Sequence, residues 1–280
     1  MRFGQVAWAL ALCRAASAVR PVVAASARVK SAVESVDGPK LLGAAAAGLT
    51  FVVAVRHLLC DEDVSAETPA CDALVQSAKA FRNAPARRLS GPGAVSASVY
   101  LDAMEALLPA FRAYGALFDR AARKDVYGNV QKVRAYLAET GEDDLDRLVA
   151  LEPRETPPSE SVARAVFWLN RIAHQISQTF AQLVEHRERT LVACATAAYL
   201  DVCAPYNTRA HQTFARILLQ VVPNRKALAK CYGFPSDDFD SLVPYLVEWI
   251  DASKATRERV DAIFQRNKLA PKRSSFPPRR

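Results

Sequence analysis

The chain has 280 residues with 37 basic and 29 acidic side chains, a net charge of +8, and its length admits one large domain with an appendage or two small ones. Ten glycines are roughly half the usual share, and long runs rich in Ala, Leu, Arg and Glu stand where sandwiches, barrels and Rossmann units need regularly spaced turn signals. With hydrophobic residues at 51% and charged residues at 24%, collagen-like, disordered and most all-β chains are excluded, and a mostly helical globular protein is expected.

Residues 1–33 carry Arg2, Arg14, Arg20, Arg28 and Lys30, with no acid before Glu34. This Ala/Ser/Val-rich, acid-free composition fits a mitochondrial-type transit peptide; the run Phe3 to Cys13 followed by Ala16-Ser17-Ala18 equally fits a short secretory segment with its cleavage site. Leu41 to Val55 is then uncharged for fifteen residues between Lys40 and Arg56. At ~1.5 Å per helical residue it covers about 22 Å, short of the ~20 residues of a spanning helix, so a membrane anchor, an interfacial helix and a buried helix all remain open. Residues 1–60 are read as a targeting or anchor segment that places the protein on a membrane or organelle, facing the cytoplasm. Residues 61–93, punctuated by Thr68-Pro69, Asn83-Ala84-Pro85 and Ser90-Gly91-Pro92-Gly93 around one short helical stretch, Cys71 to Phe81, are read as a linker.

Helices with caps follow over 94–270. Val99 to Tyr114 has apolar residues at helical spacing up to a break at Gly115, and a second helix runs from about Asp119 to Glu139. Asp143 to Leu151 is a short element. After the Pro153 to Pro158 break, Ser159 to Ser161 opens the longest clean helix, to about Glu185, with Val162, Val166, Leu169, Ile176, Phe180 and Leu183 on one face. Helices over about 190–204 and 206–222 are separated by Pro205. A last helix, from about Ser236 to Leu269, is expected to bend at Pro244, and residues 271–280 form a basic tail suited to anionic surfaces.

Two helices carry polar stripes. Beside the core stripe Val126, Val130, Val133 and Leu137 lie Asp125, Asn129, Lys132 and Tyr136 at i, i+4, i+7 and i+11. On the long helix Arg164, Trp168, Arg171 and Gln175 repeat that spacing. A flat indole among donors and acceptors suits a sugar ring, whose C–H groups meet the π face while its hydroxyls need both partners; a solvated face with an ordinary cation–π pair is the bland alternative. No metal site is expected, because the six cysteines never come closer than nine residues and the four histidines form no ligand pair. The cysteines read as small buried hydrophobes, with a Cys60–Cys71 disulfide as the alternative in an oxidising compartment. No catalytic motif, cofactor loop or basic folded face for nucleic acid is present, so neither an enzyme nor a nucleic-acid binder is expected.

The segments Tyr100 to Pro109, Lys124-Asp125-Val-Tyr-Gly128-Asn129-Val-Gln-Lys132 and Val166-Phe-Trp168-Leu-Asn-Arg171 resemble the glycolipid transfer protein family over roughly 94–270. The resemblance implies an all-α two-layer sandwich of about eight helices, here with an N-terminal extension, enclosing a dry pocket for lipid chains. It also implies that Asp125, Asn129 and Lys132 bond the headgroup and ceramide amide and that Trp168 stacks on the first sugar. The family histidine for the ceramide amide carbonyl falls on Asn207, whose side chain can still donate an N–H; His211, one turn later, is read as a surface or packing residue. Arg209 stands where relatives often place a membrane-touching Trp. Arg164 matches the ceramide phosphate branch, although it could pair with Glu160 instead, while Asn129, Lys132 and Trp168 match the sugar branch. The expected function is non-vesicular transfer of a sphingolipid, glycosylceramide ahead of ceramide phosphate or phosphoinositol ceramide, by a monomer without cofactor acting at membrane surfaces. A membrane-anchored sensor or tether is the alternative role.

Overall fold

The computed structural model describes residues 70–85, 93–220, 222–235, 238–269 and 271. The expected targeting segment 1–60, its uncharged stretch 41–55, Cys60 and the tail beyond Pro271 lie outside the described residues.

Within them the chain forms helix α1 (Ala70–Asn83), α2 (Ala97–Ala106), a 3-10 helix (Leu108–Tyr114), α3 (Ala116–Thr140), α4 (Leu145–Ala150) and α5 (Val162–Glu185), followed by α6 (Leu191–Val202), a second 3-10 turn (Ala204–Tyr206), α7 (Arg209–Gln220), α8 (Arg225–Cys231) and α9 (Phe239–Arg266). No strand occurs among the described residues, and one isolated antiparallel bridge joins Ser96 to Asp144. Side-chain caps set most of the helix starts. Ser96, Asp144, Ser161, Thr190, Asn224 and Asp238 each accept a first-turn backbone N–H, which satisfies donors that the helix itself leaves unpaired. At the other end of α3, Gly141 takes a left-handed conformation, φ 68°, that costs a glycine nothing.

The expected single helix from Val99 to Tyr114 is broken instead, because Pro109 has no N–H to continue the α ladder and sits in the first turn of the 3-10 segment. Pro205 does the same between α6 and α7. Helix α8 went unread in the sequence: seven residues behind Asn224 are too few to show a periodicity.

The helices close a ring in which α1 packs on α2, α2 on α3, α3 on α5, α5 on α9 and α9 back on α1. Helix α6 lies against α5, and α7 bridges α6 and α3. The interior is apolar. Val126, Val130, Val133, Leu169, Phe180 and Leu183 are wholly buried, as their spacing predicted.

The stretch read as a linker contributes a helix to this core. Leu74, Ala78 and Phe81 of α1 are at most 1% exposed, and the Phe81 ring meets Trp249 of α9 edge-on at 5.7 Å. Ser77 donates to Ala103 O at 2.8 Å and accepts from Trp249 Nε1 at 3.0 Å, so one buried hydroxyl joins α1, α2 and α9. Only the stretches on either side of α1 are left to act as connectors. Burying Leu74 and Phe81 is worth ~1.5–3 kcal/mol each, against a total stability of about 5–15 kcal/mol for a domain. A chain beginning at residue 94 should therefore lose cooperative thermal unfolding, whereas one beginning at residue 63 should keep the single transition of the full chain; circular dichroism melts of the two check this.

Candidate functional site

Helix α3 turns its valines inward and so carries Asp125, Asn129 and Lys132 on the adjoining outward stripe. Asn129 Nδ2 lies 3.5 Å from Asp125 Oδ1, the longest reach of a hydrogen bond. Asp125 keeps solvent-accessible surface, yet the protein mass around it pushes its carboxyl above the usual aspartate range, with His211 and then Lys132 pulling it partly back.

Half-buried Lys132 donates to Ser159 O at 2.6 Å. Its ammonium is held below the ordinary lysine value by burial and then by Arg164, against the opposing pull of Glu152, Asp125 and Glu160. Two cations from different helices, α3 and α5, therefore meet here. The loop before α5 makes this meeting possible: Glu152 accepts from Val162 N at 2.7 Å, Ala163 N at 2.9 Å and Ser161 Oγ at 3.1 Å. That folds the loop back over the start of α5 and brings Ser159 beside Lys132.

Arg164, one turn into α5, is exposed, and its guanidinium makes no hydrogen bond or ion pair among the described residues; the pairing with Glu160 is not formed. Trp168 is half-exposed. Its ring is pinned edge-on by the buried Phe167 ring at 5.6 Å, and Phe167 is held in turn by Tyr206 at 5.0 Å and Phe264 at 5.7 Å. The indole is thus packed against the core through Phe167 while part of it stays accessible.

The next residue of the α5 stripe is already engaged. Arg171 is ion-paired with Asp261 of α9. That carboxylate also accepts from Asn170 Nδ2 at 2.8 Å, and His174 Nε2 lies 2.9 Å away in a contact bent from ideal geometry. Burial works to raise the Asp261 carboxyl, but His174 and Arg171 overcome it and hold it below the usual range. Nothing local in the sequence signals this partner, ninety residues away in the chain.

The expectation for Asn207 is redirected. Its Nδ2 donates to Tyr199 Oη at 3.1 Å, and burial pushes the Tyr199 phenol up to about 12, so the hydroxyl stays protonated and accepts through its oxygen. The side chain whose charge reaches Asp125 is His211, on the α7 helix that packs on α3. Its Nδ1 lies 3.1 Å from Thr208 Oγ1, which leaves Nε2 for other partners. His211 is on the surface, as expected. Among the described residues no group of three or more His, Cys, Asp or Glu could hold a metal, and no helix is long and apolar enough to cross a membrane.

The all-α ring of helices is the glycolipid transfer fold. Residues 95–233 match the family model described as Glycolipid transfer protein, and this segment is a glycolipid transfer protein domain. The fold is shared with solved structures. Mouse ceramide-1-phosphate transfer protein is 18% identical, with a TM-score of 0.61 over 72% of this chain and 98% of that one. The fungal glycolipid transfer protein HET-C2 is 19% identical, with a TM-score of 0.57 over 66% of this chain and 92% of that one. FAPP2, described as selecting simple glycosphingolipids with this fold, is 14% identical, with a TM-score of 0.59 over 72% and 98%. No curated protein matches the chain by sequence.

The raised Asp125 carboxyl has a sign that can be checked. A carboxyl whose folded pKa lies above its unfolded value contributes stability that is present below the unfolded value, near ~3.9, and lost as pH rises through the folded value. Asp125→Asn should therefore melt no lower than the parent at neutral pH. Lys132→Met should push the Asp125 carboxyl higher still, read as a shifted carboxyl-carbon NMR titration; an unmoved titration would mean that Lys132 does not face it.

Proposed function

We propose that the protein transfers a sphingolipid between membranes, holding the headgroup at Asp125, Asn129, Lys132 and Trp168 and the chains in the apolar interior beneath α3 and α5, with a neutral glycosphingolipid as the preferred cargo. The family match and the fold shared with glycolipid and ceramide-1-phosphate transfer proteins support sphingolipid transfer. The observation that carries the headgroup preference is a partly accessible Trp168 on the helix that follows a lysine already countered by Glu152, Asp125 and Glu160. A sugar ring can stack on an indole and needs no net positive field. Asp125, accessible and ionisable, is suited to accept both an amide N–H and a hydroxyl, and His211, whose charge acts on it, can donate to a carbonyl. Buried chains supply ~0.8 kcal/mol per CH₂, and neither a covalent step nor a cofactor is needed. Residues 1–60 would bring the carrier to its membrane; if they hold it there, the same site serves a sensor or tether.

One observation favours a phosphate-bearing ceramide as the second reading: the Arg164 guanidinium, without an ion pair among the described residues, acts electrostatically on Lys132. Transfer of fluorescent glucosylceramide and ceramide 1-phosphate between phosphatidylcholine vesicles decides between the two. The parent should move the glucosylceramide faster. Asp125→Ala should slow it about 10- to 100-fold, the worth of a ~1.5–3 kcal/mol charged hydrogen bond, and Trp168→Ala should slow the sugar lipid more than the phosphate lipid. Loading of ceramide 1-phosphate alone, lost in Arg164→Ala and kept in Trp168→Ala, would replace the sugar reading with the phosphate one.

A further inference from the structure

We propose that Asp261 is a specificity-determining residue: by neutralising Arg171, a third cation in the wall of the headgroup site, it turns the site away from phosphate and toward sugar. The inference rests on the sphingolipid reading of the site.

Arg171 belongs to that wall by position. It follows Arg164 and Trp168 at i+7 and i+3 on α5, and its guanidinium carbon lies 5.5 Å from the centroid of the Phe167 ring that pins Trp168. Cys203 supplies an independent tie. This buried thiol lies 3.8 Å from Arg171 O, and both Arg171 and Asp125 act on it electrostatically. The Arg171 side chain is 14% exposed, and its buried Nε has no hydrogen-bond partner among the described residues. Donor capacity is therefore left over.

Asp261 takes the charge. It reaches across from α9 to Arg171 and Asn170, and its second oxygen faces His174 Nε2. Arg257 holds that imidazole from the other side, 3.0 Å from Nδ1. A guanidinium can only donate, so Nδ1 accepts and the His174 proton is left on Nε2, 2.9 Å from the carboxylate. Asn170 and Arg171 together hold the aspartate in place.

A phosphate monoester needs several unneutralised donors converging on its oxygens. Among the described residues, Lys132 is bonded to Ser159 O and faced by Glu152 and Glu160, Arg171 is matched by Asp261, and Arg164 makes no ion pair. A neutral sugar has no such requirement.

The test uses the full chain and phosphatidylcholine donor vesicles carrying either fluorescent glucosylceramide or fluorescent ceramide 1-phosphate, and reads the ratio of phosphate-lipid to sugar-lipid transfer. Asp261→Asn should raise that ratio about tenfold, the equivalent of ~1.4 kcal/mol. The double variant Asp261→Asn/Arg171→Gln should return it to the parent value, because the freed cation is gone. A purely structural Asp261 would slow both lipids alike and leave the ratio unmoved, which overturns the proposal. Should Asp261→Asn fail to fold, the parent itself answers through the Arg side-chain Nε NMR signals. On loading short-chain ceramide 1-phosphate the Arg164 signal should shift and the Arg171 signal stay, whereas a shifted Arg171 signal would show that it already serves phosphate. A parent that moves neither lipid overturns the function reading as well. A parent that moves the sugar lipid, with an unaltered ratio in Asp261→Asn, overturns only the role of Asp261.

Discussion

The salt-bridged carboxylate of Asp261 is the point at which α9 grips α5, and the geometry of the binding face follows from that grip. Asn170 and Arg171 lie two and three residues past Trp168 and are both held by it, so the rotation of α5 about its axis, and with it the direction of the indole, is set from outside the helix. Ion pairs withdrawn from water add little net stability but are costly to break. This one sits where orientation matters more than stability. Its carboxylate comes from α9, beyond the segment 95–233 that matches the family, and α9 is braced in turn by α1, which precedes that segment. The ring that positions the site is therefore larger than the stretch by which the family is recognised.

How much of this was legible in the sequence depended on the range of the interaction. Helix faces were readable wherever apolar residues recur over several turns: Val126, Val130 and Val133, or Val166, Leu169 and Phe180, are buried as their spacing requires. The stripe Asp125, Asn129 and Lys132 was readable for the same reason, because it is the neighbour of a core stripe. Helix α1 was seen as a helical stretch but taken as part of a linker. Its flanking prolines and glycines are local signals, while its partners Trp249 and Ala103 are remote.

Residue roles proved harder than residue positions. Arg171 shares a stripe with Trp168 but spends its charge on an acid about ninety residues later, and no periodicity encodes that. Asn207 bonds Tyr199, while His211, four residues on, acts on Asp125 together with Lys132. Asn207 lies in extended backbone between the second 3-10 turn and α7, and His211 on α7 itself, so counting along one helix could not relate the two residues.

Glu152 has an effect beyond shaping a loop. Its carboxylate accepts the first free N–H groups of α5, the place where the aligned peptide dipoles of a long helix concentrate about half a positive charge. In many proteins that end of a helix receives an anion from solution. Here it is occupied by a tethered one, so α5 presents no backbone field to an incoming ligand, and whatever discrimination the site shows must come from side chains. Because those can be exchanged one at a time without moving the helix, the headgroup preference of this scaffold is separable from its architecture.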